Sequence, residues 1–300
     1  TSHGRFVPEY FESEKTNLLE AIRSLVNDKR DWADSRLLRT MCTGEPYSIP
    51  RLGDEETVDK LQALRLYDQY RDLITTAPLE IIYSGSAELD RVRQALAAAF
   101  ATLPREEVRT IADAVPHVCR ESVQTVEDEM EVTQGKLSMG FSCGSDDMPA
   151  LLLGNTLFGG SSNSKLFLNV REKLSLCYYA SSMYHRQKGI ITVSSGIEFQ
   201  NYQRAYDEIL SQLAAVQNGE LEEWELAGAR STLLNSYATV GDSQGKLENF
   251  YLGQAATGRS ETPADLAQAV MEVSAERICR AMSTVKLDTV YFLKGKEAQA

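Results

Sequence analysis

Apolar residues recur at helical spacing near the start of the chain. Leu18, Leu19, Ile22 and Val26 share one face, and Trp32, Leu37, Leu38 and Met41 continue the pattern after a charged break at Asn27–Asp31. Residues 9–45 therefore read as two amphipathic helices. A turn over Tyr47–Gly53 follows, then helical patterning across 54–75 that stops before Pro78. LEIIYSG at 79–85 has the composition of a short strand ending in a turn, and 87–102 reads as a helix. Residues 103–125 carry Pro104, Pro116 and mixed charge without a steady period, which predicts a linker.

The second half opens with strands. In KLSMGFSC, Leu137, Met139, Phe141 and Cys143 alternate with smaller or polar residues, as a sheet with one buried face requires. A helix over 148–158, a Gly/Ser loop, a helix over 165–174 and two strands, CYYASSMYHR and GIITVSSGI, come next. Tyr206, Ile209, Leu210, Leu213 and Val216 mark a helix over 200–218, stopped by Asn218–Gly219. Further helices are expected at 220–239, 242–257, 263–272 behind the Thr262–Pro263 cap, and 275–284 behind Ser274, before a closing strand LDTVYFLKG. The order predicts an α+β fold: tandem domains, each a mainly antiparallel sheet packed with helices. Their bounds are 1–103 and 126–300, with 104–125 between. The first domain, opening in helices with one clear strand, reads as incomplete, so Thr1 is not expected to be the biological start.

Composition narrows the function classes. At 300 residues, 43% hydrophobic and 25% charged, the chain is long enough for two globular cores, and no apolar run suits a bilayer. A net charge of −12 disfavours binding to a phosphate backbone. Cys42, Cys119, Cys143, Cys177 and Cys279 are widely spaced, without a C-x-x-C pair, and are expected to be reduced packing residues in a cytoplasm. TSHGRFVPEYFESEK has no pattern of an export or organelle signal.

The candidate chemistry lies in LFGGSSNSKLFLNVREKLSLCYYA, residues 157–180. Gly159–Gly160 permit close backbone approach, Ser161–Ser164 can cap the next helix, and Arg171 and Tyr178 can bring a guanidinium and a phenol toward one spot, donors suited to a peptide carbonyl or an oxyanion. On residue chemistry alone, an Arg171–Glu172 ion pair and a packed Tyr178 are the simpler expectation. His3, His117 and His185 share no helix turn, so no convergent metal set is visible, and neither a G-x-S-x-G elbow nor a phosphate loop occurs.

This stretch, extended through SS, resembles the C-terminal domain signature of the pitrilysin-type (inverzincin) zinc peptidases, the superfamily of insulysin and the mitochondrial processing peptidase. The resemblance covers 126–295 and, less sharply, 9–102. It implies a processing-peptidase-like fold and a substrate-binding role for Arg171 and Tyr178, with Gly159, Gly160, Ser161 and Ser162 beside them. It is greatest to short bacterial members that work as paired subunits. The family's H-x-x-E-H motif does not occur in these residues. Aligning ESEKTNLLEAI with the family's third-ligand helix puts Ala21, which cannot bind zinc, at the ligand position; a one-residue shift puts Glu20 there instead. Glu12, Glu14 and Glu20 otherwise read as a solvated helix face.

Three functions remain in view. The first is a non-catalytic subunit, holding no cofactor itself, that binds peptide beside a zinc on a paralogous H-x-x-E-H-bearing partner. The others are a scaffold, including one that self-associates, and part of a self-sufficient zinc peptidase. Neither nucleic acid nor membrane is an expected partner.

Overall fold

A computed structural model describes residues 5–110 and 115–296, so Thr1 and His3 lie outside the described residues. In chain order come α1 (Pro8–Ser24), α2 (Lys29–Met41), α3 (Glu55–Asp59), α4 (Ala63–Thr76) and α5 (Leu89–Phe100). Then follow β1 (Gln124–Met130), β2 (Gly135–Cys143), α6 (Met148–Phe158), a π-helix (Leu166–Lys173), β3 (Cys177–His185) and β4 (Ile190–Ile197). The chain continues through α7 (Tyr202–Gln217), α8 (Glu223–Ala238), α9 (Gln244–Ala256), α10 (Pro263–Met271), α11 (Ala275–Met282) and β5 (Val285–Gly295). No helix among the described residues is long and apolar enough to cross a membrane.

The chain forms two compact units whose limits differ from the expected division. One comprises Thr1–Ser24, Arg51–Asp113 and Val240–Ser260; the other, Leu25–Pro50, Ala114–Thr239 and Glu261–Ala300. Helix α2, expected in the first domain, belongs to the second unit because it packs on that unit's sheet. Helix α9, expected in the second, falls in the first.

The larger unit holds the five-stranded sheet, in the order β1-β5-β2-β4-β3. Three pairings are antiparallel and β1–β5 is parallel, giving the expected α+β class with a mixed, mainly antiparallel sheet. Leu137, Met139 and Phe141 face a core shared with Leu151, Phe158, Ile209, Val270 and Ile278 from the helices. The opposite face is covered too, whereas one buried face was expected. Leu37 and Ala33 of α2 pack on Tyr291 and Leu293, and Met41 packs near Ile190. The small residues of KLSMGFSC are what admit α2: a Cβ at Gly140 would meet Met41 Sδ at 2.6 Å, and Ser138 Oγ donates to Asp34 at 2.6 Å. Burial pushes the Asp34 carboxyl above its ordinary range, opposed by hydrogen bonds from Ser138 and Ser194.

In the smaller unit α1, α3, α4, α5 and α9 are helical as their periodicity predicts. LEIIYSG is not a strand. A strand needs a hydrogen-bonded neighbour, and every strand among the described residues lies in the other unit's sheet. Leu79, Ile81 and Tyr83 keep their alternation but lie exposed. The likeness between LEIIYSG and LDTVYFLKG thus does not extend to structure: the latter forms β5, with Val290–Leu293 buried between β1 and β2.

Candidate functional site

Arg171 and Tyr178 meet at the edge of the sheet, in an open cleft of about 370 Å³ lined also by Glu172, Ser175, Leu176, Cys177 and Glu198. Three local devices bring them there. Arg171 stands in the last turn of the π-helix, whose wide turn closes with Leu174 N–H donating to Asn169 O at 3.0 Å and Leu176 N–H to Val170 O at 3.0 Å. Ser175 then takes φ 50°, a left-handed conformation uncommon outside glycine, which turns the chain into β3. Finally, β3 bulges: Cys177 pairs with Ile197 and Tyr179 with Gly196, so Tyr178 is the unmatched residue and its side chain is 50% exposed.

Both donors are already engaged. The Tyr178 hydroxyl donates to the Glu198 carboxylate, and this bond raises the phenol's pKa. Arg171 lies 4.7 Å over the Phe167 ring, with Nη1 3.3 Å from Glu172 Oε1, the simple pairing expected from adjacency. Glu198 was missed in the sequence because it is twenty residues from Tyr178. It reaches the cleft only through the β3–β4 pairing, and no spacing pattern marks it. Chemically, the cleft offers a cation and a phenol to a carbonyl or carboxylate, and two carboxylates to an amine.

The Gly/Ser loop does not line this cleft. Gly159 O accepts from Ser182 N–H of β3 at 2.9 Å, and a Cβ at Gly159 would meet Ser182 N at 2.8 Å and Leu166 Cδ1 at 2.7 Å. A Cβ at Gly160 would meet Thr156 Cα at 2.9 Å. Gly159 thus fastens the loop to the edge strand, and Gly160 lets it pass close to the end of α6. Ser161 is half-buried and Ser162 exposed, while Ser164 Oγ accepts from Phe167 N–H at 3.4 Å. Behind the loop, buried Lys165 donates to both carboxylate oxygens of Glu225 at 3.0 Å, and Glu225 also closes the capping box of α8.

The zinc site of the resembled peptidases does not assemble among the described residues. Glu12, Glu14 and Glu20 lie exposed along α1, Ala21 is half-buried, and the described histidines, His117 and His185, both belong to the other unit. A different donor set does converge there, which the scattered histidines did not predict. One ligand atom each from Cys42, Glu45 and His117 lie within 4.8 Å of one another. His117 Nδ1 is 2.8 Å from Glu45 Oε1, Nε2 is 3.2 Å from Asp288 Oδ2, and Lys188 pairs with Glu45 Oε2. His185 is half-buried, its Nδ1 bonded to Tyr47 Oη at 2.9 Å, and burial lowers its pKa.

A helix-covered, mainly antiparallel sheet with an arginine and a tyrosine at its edge is the peptidase-like arrangement that the resemblance implies. The chain belongs to the peptidase M16 family, whose "Peptidase M16 inactive domain" matches residues 60–233, in accord with the pitrilysin-type resemblance. It is 35% identical over 298 residues to the "Probable inactive metalloprotease YmfF" of Bacillus subtilis (strain 168), covering 97% of this chain and 69% of that protein. Among solved structures, a conserved protein from Enterococcus faecalis V583 superposes with a TM-score of 0.88 at 26% identity, covering 100% of this chain and 72% of that one. The peptidase M16 inactive domain from Pseudomonas fluorescens shares the fold with a TM-score of 0.81 at 16% identity, over 98% of this chain and 73% of that one.

Proposed function

We propose that this chain is the non-catalytic subunit of an M16-type zinc metalloendopeptidase, binding peptide through Arg171 and Tyr178 at a site completed by a paralogous subunit. The observation that carries this reading is the delivery of both side chains into one open cleft by a π-helix, a left-handed Ser175 and a strand bulge. Arg171 would hold a substrate carbonyl and Tyr178 a developing oxyanion. The zinc that polarises the carbonyl, its H-x-x-E-H ligands and the water-activating glutamate would belong to the partner, and this chain would contribute no cofactor to hydrolysis. Solvent-facing Gly160 and Ser162, with half-buried Ser161, would guide an extended peptide, while buried Gly159 supports the loop from beneath. The pair would act in the cytoplasm.

The test is peptide cleavage by the natural complex after co-purification. Arg171→Ala and Tyr178→Phe are each expected to lower kcat/KM by about a hundredfold, the scale of losing one oxyanion donor. Unchanged cleavage by both variants sinks the reading.

One observation favours a second reading, a scaffold without a part in hydrolysis: Glu198 engages the Tyr178 hydroxyl and Glu172 the Arg171 guanidinium, so both donors have partners within the chain. A stable complex without peptidase activity supports that reading.

A further inference from the structure

The Cys42, Glu45 and His117 cluster lies in the larger unit, and the Arg171–Tyr178 cleft does not explain it. Cys42 follows the last residue of α2 and is fully buried beside Ile190. Glu45 is tied back to it, its N–H donating to Cys42 O at 2.9 Å. His117 arrives from the segment before β1, fixed by its own N–H to Lys188 O at 2.9 Å. Asp288 of β5, fully buried, faces the far side of the imidazole through Oδ2 at 3.2 Å and accepts from Arg120 N–H at 2.9 Å. A carboxylate behind a histidine is how metal-binding imidazoles are commonly oriented. A tautomer protonated at Nε2 would donate to Asp288, and on metal binding the Nδ1 site, now bonded to Glu45, would release its proton to solvent and offer its lone pair.

We propose that Cys42 Sγ, a Glu45 carboxylate oxygen and His117 Nδ1 form a Zn²⁺ site with three protein ligands, oriented by Asp288 and separate from the substrate cleft. Thiolate, imidazole and carboxylate together suit zinc rather than magnesium or calcium, which take oxygen ligands. On binding, the Cys42 S–H bond breaks, its electron pair passes to the metal and the proton leaves to solvent. Tetrahedral zinc holds N and O ligands about 3.3 Å apart, so the present 2.8 Å contact between His117 and Glu45 opens by about half an ångström. Lys188, which also donates to Val115 O at 2.6 Å, is the competing cation at Glu45. A surface cleft of about 350 Å³ lined by Cys119, Cys143 and Thr284 reaches His117, one of the three ligands. The metal would cross-link the loop after α2 to the segment before β1, a role independent of peptide hydrolysis.

The test is a Co²⁺ titration of the full-length natural protein after treatment with a chelator, with Zn²⁺ as competitor. The expected result is a thiolate-to-cobalt charge-transfer band in the near ultraviolet that saturates and is abolished by zinc. Cys42→Ser should eliminate the band, and Asp288→Asn should weaken binding by about 10–100-fold. Lys188→Met should tighten it by removing the competing ammonium. A wild-type protein without the band overturns the proposal, as does a band that persists unchanged in both Cys42→Ser and His117→Gln. If Cys42→Ser does not fold, Glu45→Gln replaces it: weaker binding with the band retained supports the site, and unchanged affinity overturns it.

Discussion

The two units differ most in what their helices cover. In the larger, helices lie on both faces of the sheet, and residues such as Phe141, Leu151, Leu37 and Tyr291 are fully buried. In the smaller, α5 has no buried residue, Leu73 of α4 is 61% exposed and Ile81 is 50% exposed, although their apolar spacing is as regular. Phe11 and Val58 are among its few buried apolar side chains. Helical spacing alone therefore reports a tendency to fold locally, whereas burial requires a second surface. Where the sheet supplies one, the same amphipathic pattern becomes a core.

The strongest way to break this comparison is to truncate one apolar side chain in each unit of the 300-residue chain and follow urea denaturation. Phe141→Ala should cost about 3–5 kcal/mol and Leu73→Ala less than about 0.5 kcal/mol. Equal losses would mean that the smaller unit is as tightly packed as the larger. A second test concerns buried charge. Lys165→Met should cost about 3–5 kcal/mol by leaving Glu225 unpaired, and adding Glu225→Leu should restore most of it apart from the α8 cap. Next, Gly159→Ala should cost about 1–3 kcal/mol, because its Cβ meets the backbone of β3. Faster amide exchange at Ser182 would locate the damage, and unchanged exchange would contradict the fastening role of the loop.

The smallest effect sharpens the contrast through pH. Burial raises the folded-state pKa of Asp34 above its unfolded value. Its stabilising contribution is thus present below the unfolded pKa and lost as pH rises through the folded one. Asp34→Asn should therefore melt above wild type at neutral pH, and the gap should close as the solution is acidified through that range. A gap independent of pH would assign the effect to packing.

Much of the fold was legible because its signals are local. Thr262–Pro263 and Ser274 cap α10 and α11 as read, and KLSMGFSC, CYYASSMYHR, GIITVSSGI and LDTVYFLKG form β2 to β5, while β1 opens inside the expected linker. The failures were non-local. LEIIYSG carries strand composition, but pairing depends on a neighbour that no short window contains. The role of α2 was hidden because Ser138, Gly140 and Ser142 read equally well as a wet face or as room for a helix. At the cleft, the seven-residue spacing and the resemblance singled out Arg171 and Tyr178, yet Glu198 and the Cys42–Glu45–His117 cluster depend on register and on contacts across 72 residues, which periodicity does not encode.

The π-helix at Leu166–Lys173 makes the cleft sensitive to chain length in a way no side-chain change reproduces. A π turn accommodates more residues than an α turn, and each residue of an α-helix advances the azimuth by about 100°. Deleting one residue within this stretch would let it relax into ordinary α-helix, which reaches the same azimuth with one residue fewer and so keeps Arg171 beside Tyr178. A second deletion would find no wide turn left to absorb it and would swing Arg171 by roughly 100° away from Tyr178, so a relative shortened by two could keep the arginine, the tyrosine and the fold while losing their convergence.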